Sequence, residues 1–150
     1  MGALLACHPR EAERPPAEAA AVAVTRDTVL LTGAAPRAVI PLPPGRIPVD
    51  ATALEVPIAR IENEARVPFS FRARLAWGSA AGDTVDLGTF SVYPPDRAGR
   101  YLVGVRGEMR PNVRDAARAL VLELEPITPG ALQGRVLRVH VAPPAWRRGP

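Results

Sequence analysis

The chain has 150 residues, enough for one ordinary domain, and its 18 Pro and 12 Gly are more than a helical bundle tolerates, because Pro removes a backbone donor and Gly costs entropy inside helices. Its mean hydropathy is +0.03 and no apolar run approaches the roughly 18 residues that cross a bilayer as a helix, which excludes an integral helical membrane protein. Nineteen basic residues, every one Arg, stand against 15 acids for a net charge of +4, and the acids are interleaved throughout, whereas a nucleic-acid surface needs its positive charge clustered among stacking aromatics.

Residues 1–20 read in two pieces. Leu4-Leu5-Ala6-Cys7 has the shape of a bacterial lipobox, with Cys7 as the residue that would be lipidated, although the basic and apolar regions of a secretory signal do not fit in front of it. The Pro-, Glu-, Arg- and Ala-rich stretch that follows reads as a solvated linker. The expectation for 1–20 is a disordered linker or a truncated lipoprotein signal region, and an extracytoplasmic location if the lipobox is real.

From residue 21 the pattern changes to apolar alternation interrupted by turn chemistry, the signature of a sandwich or barrel. Candidate strands are 21–25 and 28–32, then 38–42, which carries Pro41 and therefore suits an edge or a strand end. Residues 54–62 place Leu54, Val56 and Ile58 on one face, and the phase then slips to Ile61, as a β-bulge would allow. The clearest strand is 67–77, with Phe69, Phe71, Ala73, Leu75 and Trp77 inward and Ser70, Arg72 and Arg74 outward. Residues 84–93 return with Val85 and Leu87 on one face before Gly88 permits a second slip, and Pro94-Pro95-Asp96 is a strong turn signal.

Tyr101, Val103 and Val105 are in phase on 100–105. Residues 111–119 form the one candidate helix, opened by Pro111 and Asn112. Leu120, Leu122 and Leu124 alternate into another strand, and 135–142 closes the domain with Leu137, Val139 and Val141 inward. Residues 143–150 are expected to be a flexible tail apart from what Trp146 can dock. The fold expected over 21–142 is all-β: an antiparallel β-sandwich, Ig-like or jelly-roll-like, of about 7–8 strands with one short helix.

Catalytic chemistry is sparse. One Cys excludes an internal disulfide framework, and two His with one Cys are too few for a His/Cys metal cage. His8 lies in the linker and His140 on the outward phase of the last strand. Glu62 and Glu64 flank a turn, while Glu123 and Glu125 share an outward strand face, where two acids read as solvated charge rather than a catalytic pair. No arrangement supplies nucleophile, base and oxyanion donors together, so no catalytic residue is assigned. Tyr93 stands apart from the aromatic residues of the core because it ends a strand just before Pro94-Pro95, where an aromatic can insert into a partner.

The run Val85-Asp86-Leu87-Gly88-Thr89-Phe90-Ser91-Val92-Tyr93, followed by a short loop and Gly99-Arg100-Tyr101-Leu102-Val103, resembles a strand and its return strand in the C-terminal β-sandwich domain of bacterial tyrosinases and plant polyphenol oxidases. Pro68-Phe69-Ser70-Phe71-Arg72-Ala73-Arg74-Leu75 falls where that domain has its preceding strand. Leu120-Val121-Leu122-Glu123-Leu124-Glu125-Pro126 and residues 136–141 resemble two later strands, so the likeness covers roughly residues 28–142, although the family's lysine-containing signature has no match.

The resemblance implies a non-catalytic accessory domain that packs over and shields a type-3 copper centre, in cis or in trans, and in some members places one side chain in the substrate pocket. It implies no cofactor in this chain, with copper held only by the partner's helical catalytic domain. The side chains expected to meet that partner are Tyr93, from its place beside the loop, and Trp146, with an exposed apolar patch near both. The alternative reading is a lipid-anchored extracytoplasmic binding module with Cys7 as the lipidation site, in which a lipid anchor would be the only link to a membrane.

Overall fold

A computed structural model describes residues 27–77, 83–105, 109 and 111–149 of the chain. Cys7, His8, the linker and the candidate strand 21–25 lie outside the described residues. Those described contain β1 (Val29–Thr32), β2 (Arg37–Pro41), β3 (Ala51–Glu62), β4 (Phe69–Trp77), β5 (Thr84–Ser91), β6 (Gly99–Gly104), α1 (Pro111–Ala116), β7 (Ala117–Pro126), β8 (Arg138–Val141) and β9 (Ala145–Arg148).

Strand β4 follows its sequence alternation closely. Phe69, Phe71, Ala73 and Leu75 are fully buried, while on the opposite face Arg72 lies 3.2 Å from Glu125 and Arg74 lies 3.4 Å from Glu123 of the neighbouring β7. On β7 the inward set is Leu120, Leu122 and Leu124, all buried. On β3, Leu54, Val56 and Ile58 have no exposed surface, and Glu55 and Pro57 on the opposite face are buried as well, so this strand is covered on both sides over 54–58. Both slips of phase expected from the sequence are present. The β3–β8 register shifts between Ile58 and Arg60, restoring Ile61 opposite Val139, and the β4–β5 register shifts at Leu87 and Gly88.

Two antiparallel sheets result. One runs β1-β8-β3-β6, with β9 also on β3, and the other runs β2-β7-β4-β5. Strand β8 pairs with Ile58–Glu62 of β3 and β9 with Ala51–Glu55, so the two form successive lengths of one line along the same edge. The orders 1-8-3-6 and 2-7-4-5 are those of an eight-stranded jelly roll with two Greek keys, which decides between the two sandwich types. A single cluster of buried side chains from both sheets fills the space between them, and Phe90 of β5 stacks on Tyr101 of β6 at 5.5 Å where the sheets approach along one side.

Several element boundaries differ from the sequence expectation: β3 begins at Ala51 rather than at residue 54, β4 at Phe69 rather than at residue 67, and β5 ends at Ser91, which leaves Tyr93 in the loop rather than at a strand end. The helix ends at Ala116 rather than at residue 119, because Ala117 is buried and pairs with Trp77; cross-strand pairing outweighs the helical preference of the Ala residues there. The last long strand shortens to Arg138–Val141, since successive turns occupy the preceding loop, closed by Ala131 N–H to Thr128 O, Gln133 N–H to Gly130 O and Arg135 N–H to Leu132 O. The C-terminal stretch, read as a flexible tail, instead contains β9, fastened to β3 by an Arg147 Nε–Glu55 Oε2 hydrogen bond of 2.7 Å.

Candidate functional site: the Tyr93 loop

The loop between β5 and β6 begins at Val92, which is buried, and continues into Tyr93, whose side chain is 87% exposed. The Tyr93–Pro94 peptide is cis. Arg97 N–H donates to Pro94 O at 3.1 Å and closes the turn. The loop is also tied to the turn that connects β3 to β4. Asn63, only 4% exposed, donates through Nδ2 to Pro95 O at 2.9 Å and to Val67 O at 3.0 Å, and through Oδ1 accepts Val67 N–H at 3.0 Å. Arg66 adds an ion pair, its Nε and Nη2 both 2.8 Å from Asp96 Oδ2.

Arg66 holds a left-handed backbone, φ 49°, a conformation that costs a non-glycine residue roughly 1–2 kcal/mol and that the Arg66 N–H to Asn63 O bond of 3.0 Å fixes. On the other side, the Tyr101 hydroxyl donates to Arg97 O at 3.3 Å. Burial raises the pKa of that hydroxyl, partly opposed by the Arg97 charge, so Tyr101 stays a neutral donor. An exposed aromatic thus stands on a backbone held from several sides, and a loop already ordered has less entropy to lose on binding. Beside it is a hollow of about 530 Å³ lined by Arg66, Tyr93, Pro94, Pro95, Asp96 and Arg97.

Trp146 lies elsewhere. It pairs with Leu54 on β3 and packs, half buried, against the core. Asn63, which binds the Tyr93 loop, is nine residues further along, a distance of about 30 Å at ~3.3 Å per residue. Tyr93 and Trp146 therefore belong to opposite ends of the sandwich and share no patch. Trp77, read as inward, is half buried at the end of β4.

Of the other polar residues singled out in the sequence, Glu62, Glu123 and Glu125 are paired with Arg side chains. His140 sits on the outward face with Leu30 and Arg60 as register partners. Glu62 takes Arg138 at 3.1 Å and Arg60 at 3.1 Å. The Arg138 hydrogen bond lowers its pKa most, with the nearby charges of Arg60, Arg138 and His140 adding to this and desolvation opposing it. Among the described residues no three His, Cys, Asp or Glu side chains gather as a metal site would require.

The sequence placed Tyr93 beside a loop, where it is exposed, whereas Asn63 and the Arg66–Asp96 pair that hold that loop were missed. The available signal was an Asn between two strands, a residue type whose side chain readily bonds nearby backbone. No family model, no curated protein and no solved structure matches this chain.

Proposed function

We propose that the chain is a non-catalytic accessory β-sandwich that docks on another protein through Tyr93, and that its partner is a tyrosinase-like copper oxidase whose active-site entrance it covers. The observation that favours docking is the 87% exposure of Tyr93 on a loop fixed by Asn63, Arg66 and Tyr101. A solvated Tyr can bury large, rigid area in a partner at low entropic cost. The copper-oxidase partner rests on the likeness of residues 85–93 and 99–103 to the tyrosinase accessory domain.

The test is to titrate the chain onto a copper-loaded tyrosinase catalytic domain lacking its own β-sandwich, following catechol oxidation. Wild-type chain should inhibit saturably, and Tyr93→Ala should inhibit about tenfold more weakly or worse, as expected for an aromatic hot spot. Its thermal midpoint should stay that of wild type, because an exposed substitution changes stability by about 0.5 kcal/mol at most. Equal inhibition by both proteins would remove Tyr93 from the interface; absence of both inhibition and co-elution would remove the copper oxidase as partner.

A further inference from the structure

A second concave surface lies beyond the Tyr93 loop, between the β1–β2 turn and the loop over residues 127–137, with a volume of about 660 Å³. Leu124 and Leu137, both buried, form its floor together with the half-buried Leu132. Val136, 60% exposed, stands at the rim with Arg135 and Arg138. The walls are held by backbone turns: Thr32 N–H donates to Ala35 O at 3.0 Å, Ala35 N–H donates to Thr32 Oγ1 at 2.9 Å, and Arg135 N–H donates to Leu132 O at 3.1 Å.

The charge of this groove is one-sided. No acidic residue lines it, whereas two Arg do, and among the described residues most other Arg side chains are matched with carboxylates. Arg138 is matched to Glu62 at 3.1 Å. Arg135 is exposed and takes part in none of the ion pairs among the described residues. An apolar floor with an unmatched guanidinium at its mouth complements a molecule with an apolar body and one anionic head, since a planar guanidinium binds carboxylate or sulfonate by two parallel hydrogen bonds. The volume falls in the range of about 300–1,000 Å³ usual for small-molecule sites.

We infer that this groove binds a small organic anion, an aryl or short alkyl body bearing a single carboxylate or sulfonate, with Arg135 holding the head and Leu132 and Val136 the body. The site is independent of Tyr93 and of the identity of any docking partner.

The probe that tests it is anilinonaphthalene sulfonate, with phenylnaphthylamine as the same ring system lacking the anionic group. On the full chain the sulfonate should saturate at one equivalent and bind about tenfold more tightly than the uncharged probe, the preference expected of one charge-assisted contact. Arg135→Ala should erase that preference without changing the affinity of the uncharged probe. Val136→Asp should weaken both, and since both positions are exposed, neither change threatens the fold. Backbone amide shifts on saturation should centre on Gly33, Leu132 and Val136. Equal affinity for the two probes, or a preference that survives Arg135→Ala, overturns the inference. So does displacement of the sulfonate by an acidic, leucine-containing peptide at lower concentration than by hexanoate, which would assign the groove to a protein segment.

Discussion

Asn63 uses every polar hydrogen-bonding atom of its side chain on backbone. Its Oδ1 accepts from Val67 N–H, and its Nδ2 donates to Val67 O and to Pro95 O. Replacing it by Ala would leave the Val67 N–H and two carbonyls without these partners at a site that is only 4% exposed. Unsatisfied buried groups cost about 1–3 kcal/mol each, less what water recovers on relaxation. We expect Asn63→Ala to lose about 3 kcal/mol in urea unfolding, and the Arg97 amide, bonded to Pro94 O, to exchange faster by more than global destabilisation explains. A loss below about 1 kcal/mol would mean that the Arg66–Asp96 pair holds the loop without it. The exposure of Tyr93 was legible in the sequence because an aromatic at a strand end directly before two Pro lies beside a loop. The Asn63 bond to Pro95 was not, since it closes across 32 residues and leaves no local pattern.

Element by element, legibility followed side-chain alternation. Strand β4 was plain because one of its faces is all core and the other carries Arg. The bulge in β5 was legible from Gly88 alone, and Gly88 shows why: its φ is +117°, and Asp86 Oδ1 accepts its N–H at 3.2 Å. A Cβ placed there would meet nothing within 4 Å, so steric room is not the constraint. The backbone angle is, and a side chain forced into such a region costs roughly 1–3 kcal/mol. Gly88→Ala should therefore destabilise the chain by about 2 kcal/mol, read from the denaturant midpoint at unchanged slope; a neutral result would show that the bulge shifts to accept Ala. Strand β9 escaped the sequence reading because Ala145–Arg148 is short and basic, like a solvated tail. It becomes a strand because β8 stops at Val141 and leaves Ala51–Glu55 of β3 open, and because Glu55, 7% exposed, receives the guanidinium of Arg147.

Across the whole molecule, the all-β class was legible from turn spacing and alternation, whereas the order of strands was not. Strand β1 pairs with β8 and β2 with β7, partners separated by most of the domain, and among the described strands only β4 and β5 are consecutive and pair with each other. Nothing local in Arg37 announces that it will lie opposite Glu123. The same topology makes the two sheets interdependent, because residues from both form one buried cluster and neither sheet has a dry face without the other. The two Trp residues test this directly, since Trp77 pairs with Ala117 in one sheet and Trp146 with Leu54 in the other. Single-Trp chains made by Trp77→Phe and Trp146→Phe should each give an unfolding curve by fluorescence that coincides with the same variant's far-ultraviolet circular dichroism, the mark of one cooperative transition. Refolding should fall in the millisecond-to-second range of folds dominated by non-local pairing. A Trp146 signal that melts before the circular dichroism would mean that β9 detaches from β3 as a unit of its own.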